Sequence, residues 1–143
     1  MSILAAIALA EAVGPIIVEV GNVRSNRGKV IVDICPQSRF LDDGCAYHAE
    51  APAKAGVTIV TVPNVPAGEF AAQAFHDENG NGEIDRGLFG IPKEGVGFSR
   101  NAPIRLSPPK WRDAVFVHHA QSGTIRFDLR YFMGARGPAA KKQ

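Results

Sequence analysis

Apolar side chains recur at every second position along much of the chain. Ile16, Val18 and Val20 share one face of a first extended segment, and Val30, Val32 and Ile34 share one face of a second. Phe70, Ala72 and Ala74 repeat the pattern in a segment ending near Asp77. The clearest case is the last, where Ile125, Phe127, Leu129 and Tyr131 alternate with Thr124, Arg126, Asp128 and Arg130. Successive side chains of a strand point to opposite faces, so this period predicts half-buried strands with one wet face. Val57 to Val62 is β-branched throughout and predicts a strand buried on both sides. Asp113 to His119 alternates Ala114, Phe116 and His118 against Val115, Val117 and His119, which predicts another strand. Gly21 to Gly28 and Gln121 to Gly123 supply turns. No helical apolar stripe is visible beyond the first residues. About seven short strands at this spacing predict an all-β, antiparallel β-sandwich.

One segment breaks the rhythm. From His76 to Arg112 only Ile104 to Leu106 suggests a short strand. Structureless loops beyond about 12–15 residues are uncommon in compact domains and are usually functional or disordered. This one contains Leu88, Phe89, Ile91, Val96, Phe98 and Trp111, which require burial, so it is expected to be ordered.

The loop opens with a pattern that suggests its anchor. Asp77, Asn79 and Asn81 stand at alternate positions and Gly82 follows at once. Calcium takes six to eight oxygens, and alternate oxygens converge when a glycine lets the chain curl. The spacing matches the first half of an EF-hand loop, with the Glu83 carbonyl and Asp85 as further donors. The twelfth place, a bidentate Glu in an EF-hand, is Leu88, and no helical pattern flanks the loop. The missing ligand must come from elsewhere, and Glu94 is one candidate. The competing reading is a metal-free turn, since Asn-Gly and Asp-rich runs also build ordinary turns.

Composition narrows the class. The chain has 143 residues, 45% of them apolar and 21% charged, with a formal net charge of +2. That length suits one domain. The apolar fraction excludes a disordered chain, and the near-balanced charge argues against a dedicated nucleic-acid binder. Ile3 to Ala10 is an apolar run of eight residues, far below the roughly 20 that span a bilayer. With Ala8-Leu9-Ala10 and Ala10-Glu11-Ala12 as cleavage sites it reads as a signal-peptide remnant over residues 1–12. A basic n-region is missing, and a short packed helix is the other reading. Residues 13–133 form the sandwich, and 134–143, with no large apolar side chain, read as a flexible tail.

Cys35 and Cys45 flank a short excursion. In an oxidising compartment they would join, and closing that loop would contribute about 2.8 kcal/mol in the chain-entropy model. In a reducing one they would be two buried thiols. Of the four histidines, His118 and His119 are strand neighbours on opposite faces, so three cannot easily converge on zinc. His76 reads as a strand-end residue that bonds a neighbouring loop. Ser99 lies outside any G-x-S-x-G elbow, and no P-loop or dinucleotide fingerprint is present.

The runs Val65 to Asp85, Phe89 to Ala102 and Pro108 to Phe116 resemble the signature of a bacterial family catalogued as domain of unknown function 2141. Trp111 stands where that family usually has Phe. The resemblance extends from about Ile16 to Tyr131 and implies a secreted or periplasmic protein, which favours both the signal and the disulfide readings. The family has no assigned enzymatic activity to carry over. More distantly, Pro66, Gly68 and Phe70 resemble the strand start of transthyretin-like (prealbumin-like) and collagen-adhesin B-type sandwiches, which implies Greek-key topology with Phe70 facing the core.

The expectation is therefore a non-catalytic, periplasmic or secreted β-sandwich binding or structural module. Asp77, Asn79, Asn81, Glu83 and Asp85 would hold a structural Ca2+. Phe89, Lys93, Glu94, Phe98 and Arg100 would form a recognition surface for a protein or small-molecule ligand, with neither nucleic acid nor a membrane span involved. The alternatives are a periplasmic hydrolase or isomerase with its site in the 76–112 loop, and a carrier of a small apolar ligand.

Overall fold

Eight strands carry the chain in a computed structural model that describes residues 12–42, 44–82, 92–105 and 107–139. The signal reading falls on residues 1–11, outside the described residues except for Ala12. The strands are β1 (Val13–Val23), β2 (Lys29–Cys35), β3 (Tyr47–Pro52), β4 (Gly56–Pro66), β5 (Gly68–Asp77), β6 (Val96–Phe98), β7 (Phe116–His118) and β8 (Gly123–Asp128). A four-residue helical turn, α1 (Trp111–Ala114), precedes β7. No helix among the described residues is long and apolar enough to cross a membrane.

Two sheets face each other. One has the order β4-β1-β8, the other β3-β2-β5-β6, with β7 pairing the start of β5. Every alternating segment turns its apolar set inward. Ile16, Val18 and Val20 of β1, Val30, Val32 and Ile34 of β2, Ala72 and Ala74 of β5, and Phe127 of β8 form one core with Leu129 and Tyr131. Phe70 joins them at its edge. The pairs are antiparallel with one departure: β1 and β8 run parallel, from Ile16 opposite Gly123 to Gly21 opposite Asp128.

Three expectations need correction. Val57 to Val62 is not buried on both sides. Thr58, Val60 and Val62 point inward, while Val57 and Ile59 are 38% and 57% exposed. The strand is the edge of a three-stranded sheet, and its β-branched run reflects fit to a pleated surface rather than two-sided burial. Asp113 to His119 is not one strand either. The turn α1 takes its first residues because Ala114 is drawn against Ala71 and Ala102, and the Ser99 hydroxyl donates to the Ala114 carbonyl at 2.5 Å. His118 is buried and His119 exposed, as the two-faced reading of that pair requires.

The third correction concerns the long loop. Ile104 is not in a strand, and the strand that exists is β6, followed by a 3-10 turn over Ser99–Asn101. β6 pairs β5 on one side, and on the other Val96 exchanges two backbone hydrogen bonds with Arg130, of 3.0 and 2.8 Å. It thereby joins the two sheets along one edge. Gly97 permits this approach, because a Cβ there would lie 2.5 Å from the Asp128 carbonyl oxygen.

The disulfide forms between Cys35 and Cys45, with Cα atoms 5.5 Å apart. It closes the excursion after β2 and lays Phe40 on the outer face of the five-stranded sheet. There the Phe40 ring meets Phe98 and Trp111 edge-on, at 6.1 and 5.6 Å between centroids.

Two stability measurements check this arrangement. Val60→Thr should cost about 1–3 kcal/mol, because a hydroxyl is buried without a partner, whereas Ile59→Thr should stay within about 0.5 kcal/mol of wild type. Equal urea midpoints for the two variants would contradict the assigned faces. Replacing both Cys35 and Cys45 by Ser should lower stability by about 2.8 kcal/mol, measured against the oxidised wild type.

Candidate functional site

The end of the sandwich where β5 stops gathers most of the buried polar chemistry. Alternation along β5 sends His76 inward, where the core would leave its ring nitrogens unpaired. Both are satisfied. Nε2 faces the Arg27 carbonyl at 2.7 Å, so it carries the proton and donates. Nδ1 then accepts from the Tyr131 hydroxyl at 2.9 Å. That hydroxyl oxygen accepts in turn from the Arg24 backbone N–H at 2.9 Å. His76 does bond a neighbouring loop, as its position at the end of the strand suggests, and it is fully buried. Gly95 makes room for the Tyr131 ring, since a Cβ there would come within 2.5 Å of it.

Arg24 continues the network. Its guanidinium lies over the Tyr131 ring, 4.4 Å from the centroid. Nε donates to Glu78 Oε1 at 3.0 Å, Nη2 pairs with the same oxygen, and the Ser25 hydroxyl donates to Glu78 Oε2 at 3.1 Å. Nη1 donates to the carbonyls of Met133 and Ala135 at 2.6 and 3.0 Å. Asn22 adds a bond to the Arg136 carbonyl at 2.8 Å, so the chain beyond β8 is tied down as far as that residue. Burial pushes the Glu78 carboxyl up, but the hydrogen bonds from Arg24 and Ser25 and the Arg24 charge outweigh it and hold the group below its ordinary range. Burial pushes the Tyr131 phenol up to about 12, against the Arg24 N–H bond and with help from the Glu78 charge.

Asp77, the last residue of β5, is fully buried and heads the turn. Its Oδ1 accepts from the Asn81 N–H at 3.2 Å and its Oδ2 from the Gly82 N–H at 2.7 Å. Asn79 Oδ1 also accepts from the Asn81 N–H, at 3.2 Å. Gly80 and Gly82 have φ of 72° and 79°, the left-handed conformation that lets the chain curl around the carboxylate. Glu94, 5% exposed, accepts the Glu78 N–H on Oε2 at 2.5 Å. Asp77, Asn79, Asn81 and Glu94 are thus brought to one end of the fold, while Glu83 and Asp85 lie outside the described residues. Among the described residues no group of three or more His, Cys, Asp or Glu side chains is placed to hold a metal.

The residues expected to recognise a partner are dispersed. Phe89 lies outside the described residues. Lys93 is exposed, Glu94 is buried at the loop head, and Phe98 is half-buried against Phe40. Arg100 is exposed and its Nη1 donates to the carbonyls of Arg112 and Val115, at 3.2 and 3.3 Å. Arg24 was not legible as a member of the site. It sits in a turn with no local pattern, and its partners lie 54 and 109 residues away.

The raised Tyr131 phenol carries a pH signature. A neutral form favoured in the fold holds its stabilisation below pH 10 and loses it as pH rises toward 12. Tyr131→Phe should abolish that alkaline decline. At neutral pH it should cost about 1–3 kcal/mol, because the Arg24 N–H and His76 Nδ1 lose their partner. Parallel urea midpoints for both proteins between pH 9 and 12 would refute the assignment.

Comparison with curated proteins and with solved structures finds no match, and the likeness to transthyretin-like sandwiches is not confirmed. A family model described as "Uncharacterized protein conserved in bacteria (DUF2141)" matches residues 18–126, from within β1 to within β8. That span covers more than half of the chain and includes the Asp77 turn, β6 and the disulfide: the chain belongs to the DUF2141 family.

Proposed function

We propose that this domain is a non-catalytic binding or structural module that works outside the cytoplasm, and that its loop after β5 is ordered by Ca2+. The observation that carries the reading is the Asp77 carboxylate, fully buried inside a curl of chain. A hard cation needs such a carboxylate together with alternate side-chain oxygens, which Asn79 and Asn81 offer. Glu94 supports the reading further. It brings a second carboxylate to the residue next to Asp77, from outside the EF-hand-like run, and so compensates for Leu88 at the twelfth place. The Glu83 carbonyl and Asp85 would complete the donor set.

The disulfide favours an oxidising compartment, since such bonds persist there and are rare in the cytosol. A structural role fits the way the polar groups are spent. His76, Tyr131, Arg24 and Glu78 bond one another and the backbone of two chain segments, the connection after β1 and the stretch beyond β8. The space between the sheets is filled by Val, Ile and Phe side chains at 0–1% exposure, which disfavours an apolar carrier.

Thermal melts test the ion. Calcium at a hundredfold excess over its dissociation constant should stabilise the wild type by about 2.7 kcal/mol, reversed by chelator. Asp77→Ala should not respond, and Glu94→Gln should need more calcium for the same shift. Identical wild-type melts with calcium and with chelator would remove the ion from the proposal.

A further inference from the structure

Two stretches of the chain carry several cations and no acid: residues 129–143, with Arg130, Arg136, Lys141 and Lys142, and residues 95–112. Between Gly95 and Arg112 stand Arg100, Arg105, Lys110 and Arg112, with no Asp or Glu. Outside that stretch twelve basic residues face fourteen acidic ones. All four cations are exposed, and none takes part in the ion pairs seen among the described residues, which are Arg24–Glu78, Lys29–Glu50 and Arg39–Asp42.

The fold draws three of them together. Lys110, just before the helical turn α1, and Arg112, within it, flank Trp111. Arg100 reaches the same turn through its bonds to the Arg112 and Val115 carbonyls. The half-buried Trp111 ring is braced by Phe40, which the disulfide-closed excursion holds in place. Asp113 is the nearest acid in sequence, and Asp42, on the excursion that carries Phe40, is already paired with Arg39.

We infer that Arg100, Lys110, Trp111 and Arg112 form a docking surface for an anionic phospholipid membrane. Guanidinium groups match phosphate oxygens in a planar fork, and each basic residue near an anionic leaflet adds to the attraction. A tryptophan between cations suits the headgroup level, where its amphipathic ring is favoured, and this separates a lipid surface from a soluble polyanion. The surface is independent of the calcium reading, because it lies at the opposite end of β5 from Asp77, beside Ala71.

Trp111 is the single tryptophan of the chain and reports directly on docking. The full chain should co-sediment with vesicles that contain one part phosphatidylglycerol in about three, and its emission should shift to the blue. Vesicles of phosphatidylcholine alone should do neither, and added salt should reverse the binding. Lys110→Gln and Arg112→Gln should each weaken partition about fivefold while leaving the thermal midpoint unchanged. All variants keep the apolar N-terminal run, so their loss reports on this surface. No sedimentation with anionic vesicles, unchanged partition in both variants, or a blue shift with soluble polyphosphate but not with vesicles would each overturn the inference.

Discussion

One guanidinium holds three distant parts of the chain in register. Arg24 lies in the connection after β1, Glu78 just beyond β5, and Met133 and Ala135 beyond β8. The planar fork of arginine serves all of them at once, and its face covers the Tyr131 ring. Its own backbone N–H fixes the Tyr131 hydroxyl, which in turn fixes the His76 ring. Lysine has neither the fork nor the face, so the same geometry is not available to it. The loop that begins at Asp77 starts from a backbone this network has already oriented.

The other constraint is closure of the sandwich along one edge. A sheet edge exposes unpaired amides and carbonyls, which invites association with other chains. Three residues of β6 occupy that position between β5 and Arg130. The long segment after His76 is therefore not a single loop on the surface. Its described parts are a curl at Asp77, a short strand paired with β5, a 3-10 turn bonded to β5, β8 and α1, and the helical turn α1 itself.

Alternation was enough to read β1, β2, β5 and β8, because one buried face imposes a period of two on Ile16, Val32, Ala74 or Phe127. Where alternation met other demands it misled. Val57 and Ile59 look like core residues and face outward, because β-branched side chains suit an edge strand as well as a central one. β6 was invisible, since three residues with a central Gly97 carry no period, and its reason for existing lies across the sheet at Asp128 and Arg130. Of the candidate site, Asp77, Asn79, Asn81 and Glu94 were readable from spacing and chemistry. Arg24 and Tyr131 were not, because their roles arise from contacts more than fifty residues apart in sequence.

The parallel pairing of β1 with β8 sets the order of events during folding. β1 is the middle strand of its sheet, and one of its two neighbours is the last strand of the chain. A chain that emerges from its N-terminus forward can form the β1–β4 pairing early, yet the other side of β1 stays open until Asp128 has appeared. Contacts this far apart in sequence slow folding, because ordering the intervening chain precedes the gain from pairing. No N-terminal fragment that stops short of β8 can therefore have a finished first sheet.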